Sequence, residues 1–373
     1  MKHFVVKTLV LILRILYAPM KLRKTKNRIV WLSRQSGDKS LDVRMLSQYI
    51  YENYPETEQV FRLRHLKGEH DITLSYAFSL LKDMWVLASA QVAVTDTYSI
   101  ALSCLKHKKN LRIIQIWHAL GAIKKFGLQS VGKAQGRDAG ISEWMCMHKN
   151  YDWIIAPSAA TAKYYTEAFG YTEENIKIAS LPRVDVILDG ASRREEFLEL
   201  NPQLKGKRIL LYLPTFRNGD FEWVETLMDS FKSTSRYALV VSLHPLTKKK
   251  FEKPISFYEG DFSTYDLMKI ADGIITDYSA SAFEGALLGK PMWFYLPDFE
   301  TYLQEQGINT NITHELPNAC FFEANALLNA VESEGYDLEK LSAFTDKFVE
   351  NKGTNNTELL ASFICSFIRR TKE

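Results

Sequence analysis

The chain has 373 residues, of which 46% are hydrophobic and 24% are charged, with 18 Gly, 11 Pro and 4 Cys. This composition excludes a disordered, collagen-like or disulfide-stapled protein, and at roughly 150 residues per domain the length predicts two domains. The cysteines, Cys104, Cys146, Cys320 and Cys365, lie far apart and match no zinc-site spacing. That pattern favours a reducing, cytoplasmic compartment and no structural metal.

The positive charge is concentrated at the N terminus. Residues 1–28 hold eight Lys and Arg and no acidic residue, so the rest of the chain is net acidic although the formal net charge is +3. Lys7 and Arg14 interrupt the apolar stretch 4–20, which leaves it short of the roughly 20 apolar residues that a spanning helix needs. On a helix, Lys7, Arg14 and Lys21 would form one stripe opposite Leu, Ile and Val.

We therefore predict that residues 1–27 form an amphipathic arm that lies on an anionic membrane surface, and that the protein attaches peripherally to the cytoplasmic side of the cell membrane. A tilted or re-entrant insertion and a helix packed into a soluble core are the alternatives. A secretory signal is disfavoured, because Arg14 divides the apolar region and no small-residue cleavage site follows.

After the arm, short β-rich runs alternate with helical patterns. The predicted strands are 28–33, 59–63, 92–96, 112–117, 153–158 and 176–180, and the clearest predicted helices are 74–90 and 159–169. Such alternation predicts an α/β domain with a parallel, doubly wound sheet.

The pattern begins again after the polar stretch 191–208. The second set of predicted strands is 208–214, 238–244, 273–277 and 291–295, and the second set of helices is 223–231, 265–271, 282–288, 323–333, 337–350 and 356–370. We predict two facing Rossmann-like domains, an N-terminal one over 28–190 and a C-terminal one over 191–373. A return of the last helix to the first domain stays open.

Candidate functional residues follow the predicted strands, because open α/β sheets bind ligands at the carboxyl ends of their strands. His118 and His244 each close an apolar strand, and Lys124 and Lys125 come shortly after His118. An imidazole, with an unperturbed pKa of about 6.5, suits removal of a proton from a hydroxyl. Structural histidines in loops and solvated lysines are the alternative.

A third group lies where a strand of the second half meets its helix. Asp277, Tyr278, Ser279 and Ser281 bring carboxylate and hydroxyl groups to a helix N-terminus, which favours phosphate binding. The alternative is a capping box in which Ser281 and Glu284 close the helix.

Arginines also follow strands in both halves. Arg217 comes two residues after Thr215 in the second half, and Arg183 lies near the end of the first domain. Either guanidinium could form paired hydrogen bonds to a phosphate. A domain-bridging ion pair with an aspartate is the alternative.

Together these motifs resemble a known family. The order WH…KKFG, LPRVD, PTFR, LHP and ITDYS…FEGALLGKPMWFY…DFETY, over roughly residues 110–365, resembles the CDP-glycerol:poly(glycerophosphate) glycerophosphotransferases of teichoic acid synthesis. The resemblance implies a GT-B-like fold and transfer of glycerol phosphate from CDP-glycerol to a lipid-linked saccharide or polyol-phosphate acceptor, with release of CMP. Ribitol phosphate transfer from CDP-ribitol and sugar transfer from a nucleotide sugar by a GT-B glycosyltransferase are the alternatives.

The resemblance also implies roles for individual residues. His118 matches the family's candidate general base and His244 its second essential histidine, near the pyrophosphate. The donor-binding turn is carried over onto the three residues Asp277, Tyr278 and Ser279. We expect the two imidazoles, one from each domain, to converge on the donor diphosphate.

Further positions match the family less closely. Arg217 and Arg183 match its two strand-end arginines, and Glu284 stands where the family often has Asp. Thr215 and the lysines after His118 are candidate substrate contacts.

The sequence departs from the family in three places. WHALGAIKKFG stands for the common WHGTPLKKLG, and Ala280 stands for the second Ser of DYSS, which leaves Ser281 as the remaining hydroxyl. KGTNNTELL, at 352–360, replaces DGKASERI, so donor recognition there is expected through Thr354 or Asn356.

The remaining expectations concern cofactors and partners. No DxD-like pair occurs, so the sequence requires no metal or other cofactor, and Mg²⁺ assistance stays open. The basic runs 106–109 and 248–250 lack interleaved aromatics, which disfavours nucleic acid. The expected partners are the CDP-polyol donor, its acceptor, an anionic membrane surface and, as one candidate assembly, a second copy in a homo-oligomer. The two retained histidines disfavour a catalytically silent membrane scaffold.

Overall fold

The computed structural model describes residues 2–66, 74–133, 136–215, 222–243, 258–333, 335–350 and 352–368. The chain divides into two compact units. The first unit takes residues from 1–118, 125–185 and 353–373, and the second from 119–124 and 186–352. The predicted division at 190 differs from this one in three segments, 119–124, 186–190 and 353–373.

The first unit is built on a six-stranded sheet in which every pair of neighbours is parallel. The strands are β1 (Arg28–Ser33), β2 (Glu58–Leu63), β3 (Val92–Thr95), β4 (Arg112–Gln115), β5 (Trp153–Ala156) and β6 (Ile176–Ile178), in the spatial order β2-β1-β3-β4-β5-β6. Every residue of β1 and β3 is buried, as expected for a parallel sheet covered on both faces. The parallel α/β prediction is confirmed.

Helices flank this sheet. They are α1 (Lys2–Met20), α2 (Leu41–Asn53), α3 (Leu74–Leu87), α4 (Ile100–Ser103), α5 (Ala139–Trp144), α6 (Ala159–Phe169), α7 (Arg183–Leu188), which crosses the boundary between the units, and the last helix of the chain, Asn356–Cys365. Helix α6 shows why its prediction held: Ser158 and Thr161 form a capping box at its start, and Gly170, at a φ of 73°, ends it.

The second unit has a five-stranded parallel sheet in the order β11-β10-β9-β7-β8. Its strands are β7 (Arg208–Leu213), β8 (Tyr237–Val241), β9 (Gly273–Thr276), β10 (Met292–Tyr295) and β11 (Cys320–Phe321). Its helices are α8 (Arg194–Leu200), α9 (Glu222–Phe231), α10 (Thr264–Ile270), α11 (Ser281–Ala286), α12 (Phe299–Glu305), α13 (Ile312–Glu315), α14 (Ala324–Glu332) and α15 (Leu338–Phe348). The last helix of the chain is α16. Strand β11 was not predicted from the sequence.

A buried aspartate ties the C-terminal segment to the first unit. Asp185, at the start of α7, accepts hydrogen bonds from the backbone N–H groups of Asn356 and Thr357, at 2.9 and 2.8 Å, and from both of their side chains. Helix α16 packs against α2, and Tyr54 donates to Ser362. The C-terminal helix thus completes the first unit.

The N-terminal helix turns its apolar side outward. Val10 and Tyr17 are buried, and Arg14 donates from Nε to the carbonyl of Cys104 at 2.7 Å. The exposed large apolar side chains of the helix are Phe4, Val5, Leu9, Leu11, Ile12, Ile15 and Leu16. The alternative of a helix that buries its apolar face in a soluble core is therefore wrong. Among the described helices, none is long and apolar enough to cross a membrane.

Candidate active site

His118 lies three residues beyond the end of β4, in the first unit. Its Nδ1 atom is 2.9 Å from the main-chain carbonyl oxygen of Asp96, which itself follows β3. Because a carbonyl oxygen can only accept, Nδ1 carries the proton and Nε2 of the neutral ring keeps its lone pair. In this tautomer Nε2 is the nitrogen that can accept a proton.

A strained residue presents this imidazole. Trp117 has a φ of 54°, in the left-handed region, which costs a bulky residue on the order of 1–3 kcal/mol. Its ring packs 4.0 Å from that of His118 and 5.0 Å from that of Phe126, measured between centroids. Phe169 contacts the same indole edge-on. Packing therefore holds the sharp turn that follows β4.

The chain leaves the first unit directly after His118. Gly121 lies against the ring of Phe283 so closely that a Cβ atom would come within 2.3 Å of it, which only glycine avoids. Asn309 donates from its backbone to the carbonyl of Ile123, at 2.6 Å, and Thr310 donates its hydroxyl to Ala122, at 3.0 Å. Residues 119–124 are thus a strap of the second unit.

The paired lysines are divided between the units. Lys124 is exposed, belongs to the strap and pairs with Ile308 in an antiparallel bridge. Lys125 lies in the first unit, where its carbonyl accepts from the hydroxyl of Ser130.

Asp277 joins two strand ends of the second unit. It is 1% exposed and accepts from the backbone N–H of Thr215, at 2.9 Å, and from the Thr215 hydroxyl. Thr215 follows β7 and Asp277 follows β9, so the carboxylate fixes the start of the segment that leads to Arg217. Arg217 and His244 lie outside the described residues, and the convergence of the two imidazoles stays a prediction.

The rest of the predicted donor turn is held from two sides. The Tyr278 hydroxyl donates to Asp298 at 3.1 Å, and its ring stacks on Tyr302 at 3.7 Å. Ser279 accepts from the backbone N–H of Ser281, and both serines are half-buried. The buried groups hold the turn, and the serine hydroxyls are its more accessible polar groups.

The capping-box alternative for Ser281 and Glu284 is wrong. Helix α11 begins at Ser281 itself, with Ala280 at the N-cap and no side-chain cap hydrogen bond. Glu284 is buried and accepts from the Tyr265 hydroxyl at 3.3 Å. The helix starts one residue earlier than the spacing suggested, because the turn after β9 is only four residues long.

Arg183 forms an ion pair with Asp42, and both residues belong to the first unit. Its Nε donates to Asp42 at 3.0 Å, and its backbone N–H donates to the same carboxylate. The ion pair was the predicted alternative, but it does not bridge domains, because Asp42 belongs to α2. Thr354 is exposed, whereas the Asn356 side chain is committed to Asp185.

Lys290, the lysine of the GKP motif, has a structural role that the sequence did not reveal. The Lys290 ammonium donates to the carbonyls of Met268, Lys269 and Ala271, at the C-terminal end of α10, and burial lowers its pKa. A cation there satisfies carbonyls that the helix leaves unpaired.

In the described part of the chain, no three His, Cys, Asp or Glu side chains gather as a metal site would.

Known proteins match both the sequence and the fold. The sequence profile of the CDP-Glycerol:Poly(glycerophosphate) glycerophosphotransferase family matches residues 16–366. A teichoic acid ribitol-phosphate primase of Bacillus spizizenii is 33% identical over 309 residues, 79% of each chain. A teichoic acid glycerol-phosphate primase of Bacillus subtilis is 30% identical over 301 residues, 78% of this chain and 77% of that one. The solved wall teichoic acid polymerase TagF has a TM-score of 0.69 at 20% identity, over 98% of this chain and 97% of that one.

The fold is the GT-B-like α/β architecture. The chain belongs to the CDP-glycerol:poly(glycerophosphate) glycerophosphotransferase family. It is a polyol-phosphate transferase of teichoic acid and cell-wall synthesis, and the resemblance inferred from the motifs is confirmed.

Proposed function

We propose that the protein transfers glycerol phosphate from CDP-glycerol to a lipid-linked or polymeric acceptor and releases CMP. The observation that carries the chemistry is the contact between His118 Nδ1 and the Asp96 carbonyl, which leaves Nε2 as the basic atom. Transfer of a single unit is favoured, because both primases named above match over more than three quarters of their own lengths.

In the proposed reaction, a hydroxyl of the acceptor attacks the phosphorus atom that carries the polyol. The new P–O bond forms as the bond to CMP breaks, and the hydroxyl proton passes to Nε2 of His118. Negative charge moves towards the departing CMP, so cationic and hydrogen-bonding groups around the diphosphate stabilise the transition state. We assign this task to His244, Arg217 and the hydroxyls of Ser279 and Ser281.

CDP-ribitol is the second candidate donor. The ribitol-phosphate primase is the more similar of the two primases compared above, at 33% identity against 30%. Ribitol phosphate is longer than glycerol phosphate and presents more hydroxyl groups, so the two donors are distinguished by the space and the polar groups around the polyol. The reaction and its proposed base are the same for both.

One assay separates these functions. The full chain is supplied in turn with CDP-glycerol, CDP-ribitol and a UDP-sugar, together with a lipid-linked disaccharide, and products are analysed by mass spectrometry. We expect a mass increase of one glycerol phosphate and stoichiometric CMP. Addition of ribitol phosphate alone would assign the second donor, and release of UDP without CMP would contradict phosphotransfer.

We also propose that the protein attaches peripherally to the cytoplasmic face of the cell membrane. The exposed apolar side chains of α1 support this, and α3 adds Phe78 and Trp85, which are 60% and 52% exposed. The Arg23 guanidinium lies 3.8 Å from the Trp85 ring centroid, so cationic and aromatic groups adjoin as they do at membrane interfaces. Lys24 and Lys26 add exposed positive charge, which favours an anionic leaflet.

A further inference from the structure

A cavity of about 260 Å³ opens in the first unit, where β1, β3 and β4 end. Its wall includes Arg34, which follows β1, Thr97 and Tyr98, which follow β3, and Trp117, which follows β4. Arg137 and His148 complete the charged and aromatic part of the wall. The cavity therefore occupies the edge of the sheet at which α/β proteins bind their ligands.

Two guanidinium groups of this cavity lie close to the same aromatic ring. The Cζ atom of Arg34 lies 5.8 Å from the centroid of Tyr98, and that of Arg137 lies 5.3 Å from it. A third arginine nearby, Arg64, is paired with both carboxylate oxygens of Asp83, at 2.7 Å. Arg62 donates to the same carboxylate at 2.6 Å, so Asp83 is the shared counter-ion of Arg62 and Arg64.

The other two cations lack such a counter-ion. Among the ion pairs formed by the described residues, none includes Arg34 or Arg137, and the buried Nε of Arg34 has no hydrogen-bond partner there. Burial lowers the pKa of Arg34, and the charges of Arg137 and Arg64 act in the same direction. Adjacent cations without an anion are favourable when a ligand supplies the negative charge.

His148, in the wall of the cavity, is uncharged near pH 7. Burial lowers the pKa of His148 to about 3, and the charge of Arg137 contributes to the shift. The ring is therefore neutral near pH 7, with its Nδ1 3.0 Å from the Tyr151 hydroxyl. The cavity is thus positively charged and aromatic, which suits a phosphate group attached to a polyol.

The cavity also adjoins the proposed base. Trp117 forms part of its wall and packs 4.0 Å from the ring of His118. We propose that Arg34 and Arg137 bind a phosphate group of the acceptor and thereby hold the acceptor hydroxyl within reach of His118. This inference rests on the proposed function, because it assigns the substrate that His118 deprotonates, and it adds a binding site that the sequence motifs did not indicate.

The kinetic test uses Arg137→Gln in the full chain, because Arg137 is exposed and its loss leaves the core intact. With an acceptor that ends in glycerol phosphate, we expect the acceptor KM to rise about 10- to 100-fold, the typical effect of losing a charge-assisted hydrogen bond. The donor KM and kcat should stay within about twofold, because the other groups are unchanged. Arg34→Lys, which keeps the charge but loses the planar fork, should raise the acceptor KM by less. The matched control is Arg44→Gln, an exposed arginine of α2, which should behave as the wild type.

A binding measurement separates failure of this proposal from failure of the proposed function. Glycerol 3-phosphate is titrated into the full chain without any donor, and we expect binding that Arg137→Gln weakens by a similar factor and Arg44→Gln does not. That result would support the cavity even if the chain used neither CDP-polyol. An unchanged acceptor KM in Arg137→Gln, a rise confined to the donor KM, or glycerol 3-phosphate binding unaffected by the substitution would overturn the proposal.

Discussion

Asp96 contributes to the site through its main chain, while its side chain is buried beside it. The carbonyl fixes the tautomer of His118, and the carboxyl group is only 2% exposed. Burial raises the pKa of this carboxyl to about 6, and the charge of Asp42 adds to the shift. Ionisation of Asp96 therefore destabilises the native state.

This shift predicts a stability that depends on pH. The native state binds the Asp96 proton more tightly than the unfolded chain does, so its contribution to stability falls as pH rises from about 4 to about 6 and stays low above that. Asp96→Asn removes this ionisation. We expect the difference in free energy of unfolding between Asp96→Asn and the wild type to be more favourable to the variant near pH 7.5 than near pH 4, by up to about 3 kcal/mol. Urea unfolding of both chains across this range tests it, and an effect of the substitution that is the same at both pH values would contradict it.

The alternating pattern predicted where the candidate site residues lie relative to the strands, but it did not give their contacts. His118, Asp277 and Tyr278 lie just beyond β4 and β9, as the alternating pattern predicted. The contact of Asp277 with Thr215 joins residues 62 positions apart, and no local spacing encodes it. The Arg34–Arg137 cavity was missed for the same reason, because its two arginines lie on separate loops.

Strands were the most predictable elements, because buried parallel strands are continuous apolar runs. All ten predicted strands are present, but several end earlier than predicted. Strand β4 ends at Gln115, where its pairing with β5 ends, although the apolar run continues to Trp117. Strand β11 has only two residues and no periodicity to detect.

The apolar face formed by α1 and α3 predicts binding to anionic vesicles. Burying one isoleucine side chain is worth about 1.5–3 kcal/mol, so Ile12→Glu with Ile15→Glu should weaken binding well over tenfold. Both side chains are exposed, so the first unit should fold normally. The measurement is co-sedimentation of the full chain with vesicles that contain phosphatidylglycerol.

The matched control for this surface is Leu338→Glu, an exposed apolar residue of α15 in the second unit. It should bind vesicles as the wild type does. Vesicles of phosphatidylcholine alone should bind the wild type more weakly, because they lack the negative charge that attracts the basic arm. Equal binding of the double variant and the wild type would contradict the role of α1.

On the scale of the whole molecule, the chain order of strands and helices predicted two α/β units, but long-range contacts decide which segments each unit contains. The strap 119–124 belongs to the second unit because Gly121 and Ile123 contact residues of that unit. A six-residue loop has no hydrophobic periodicity, so the sequence pattern does not reveal which unit it joins. Residues after 353 join the first unit because Asp185 binds Asn356. A hydrogen bond across 171 positions cannot be inferred from local pattern.

The central claim is that His118 removes the proton of the acceptor hydroxyl, and His118→Ala tests it most directly. We compare this variant with wild type and with His314→Ala, an exposed histidine of α13, for kcat of phosphotransfer and for binding of CDP-glycerol. Loss of a general base lowers kcat by about 10²- to 10⁴-fold, and we expect that decrease with donor binding unchanged within about twofold. Turnover of His118→Ala close to that of the His314→Ala control would contradict the account.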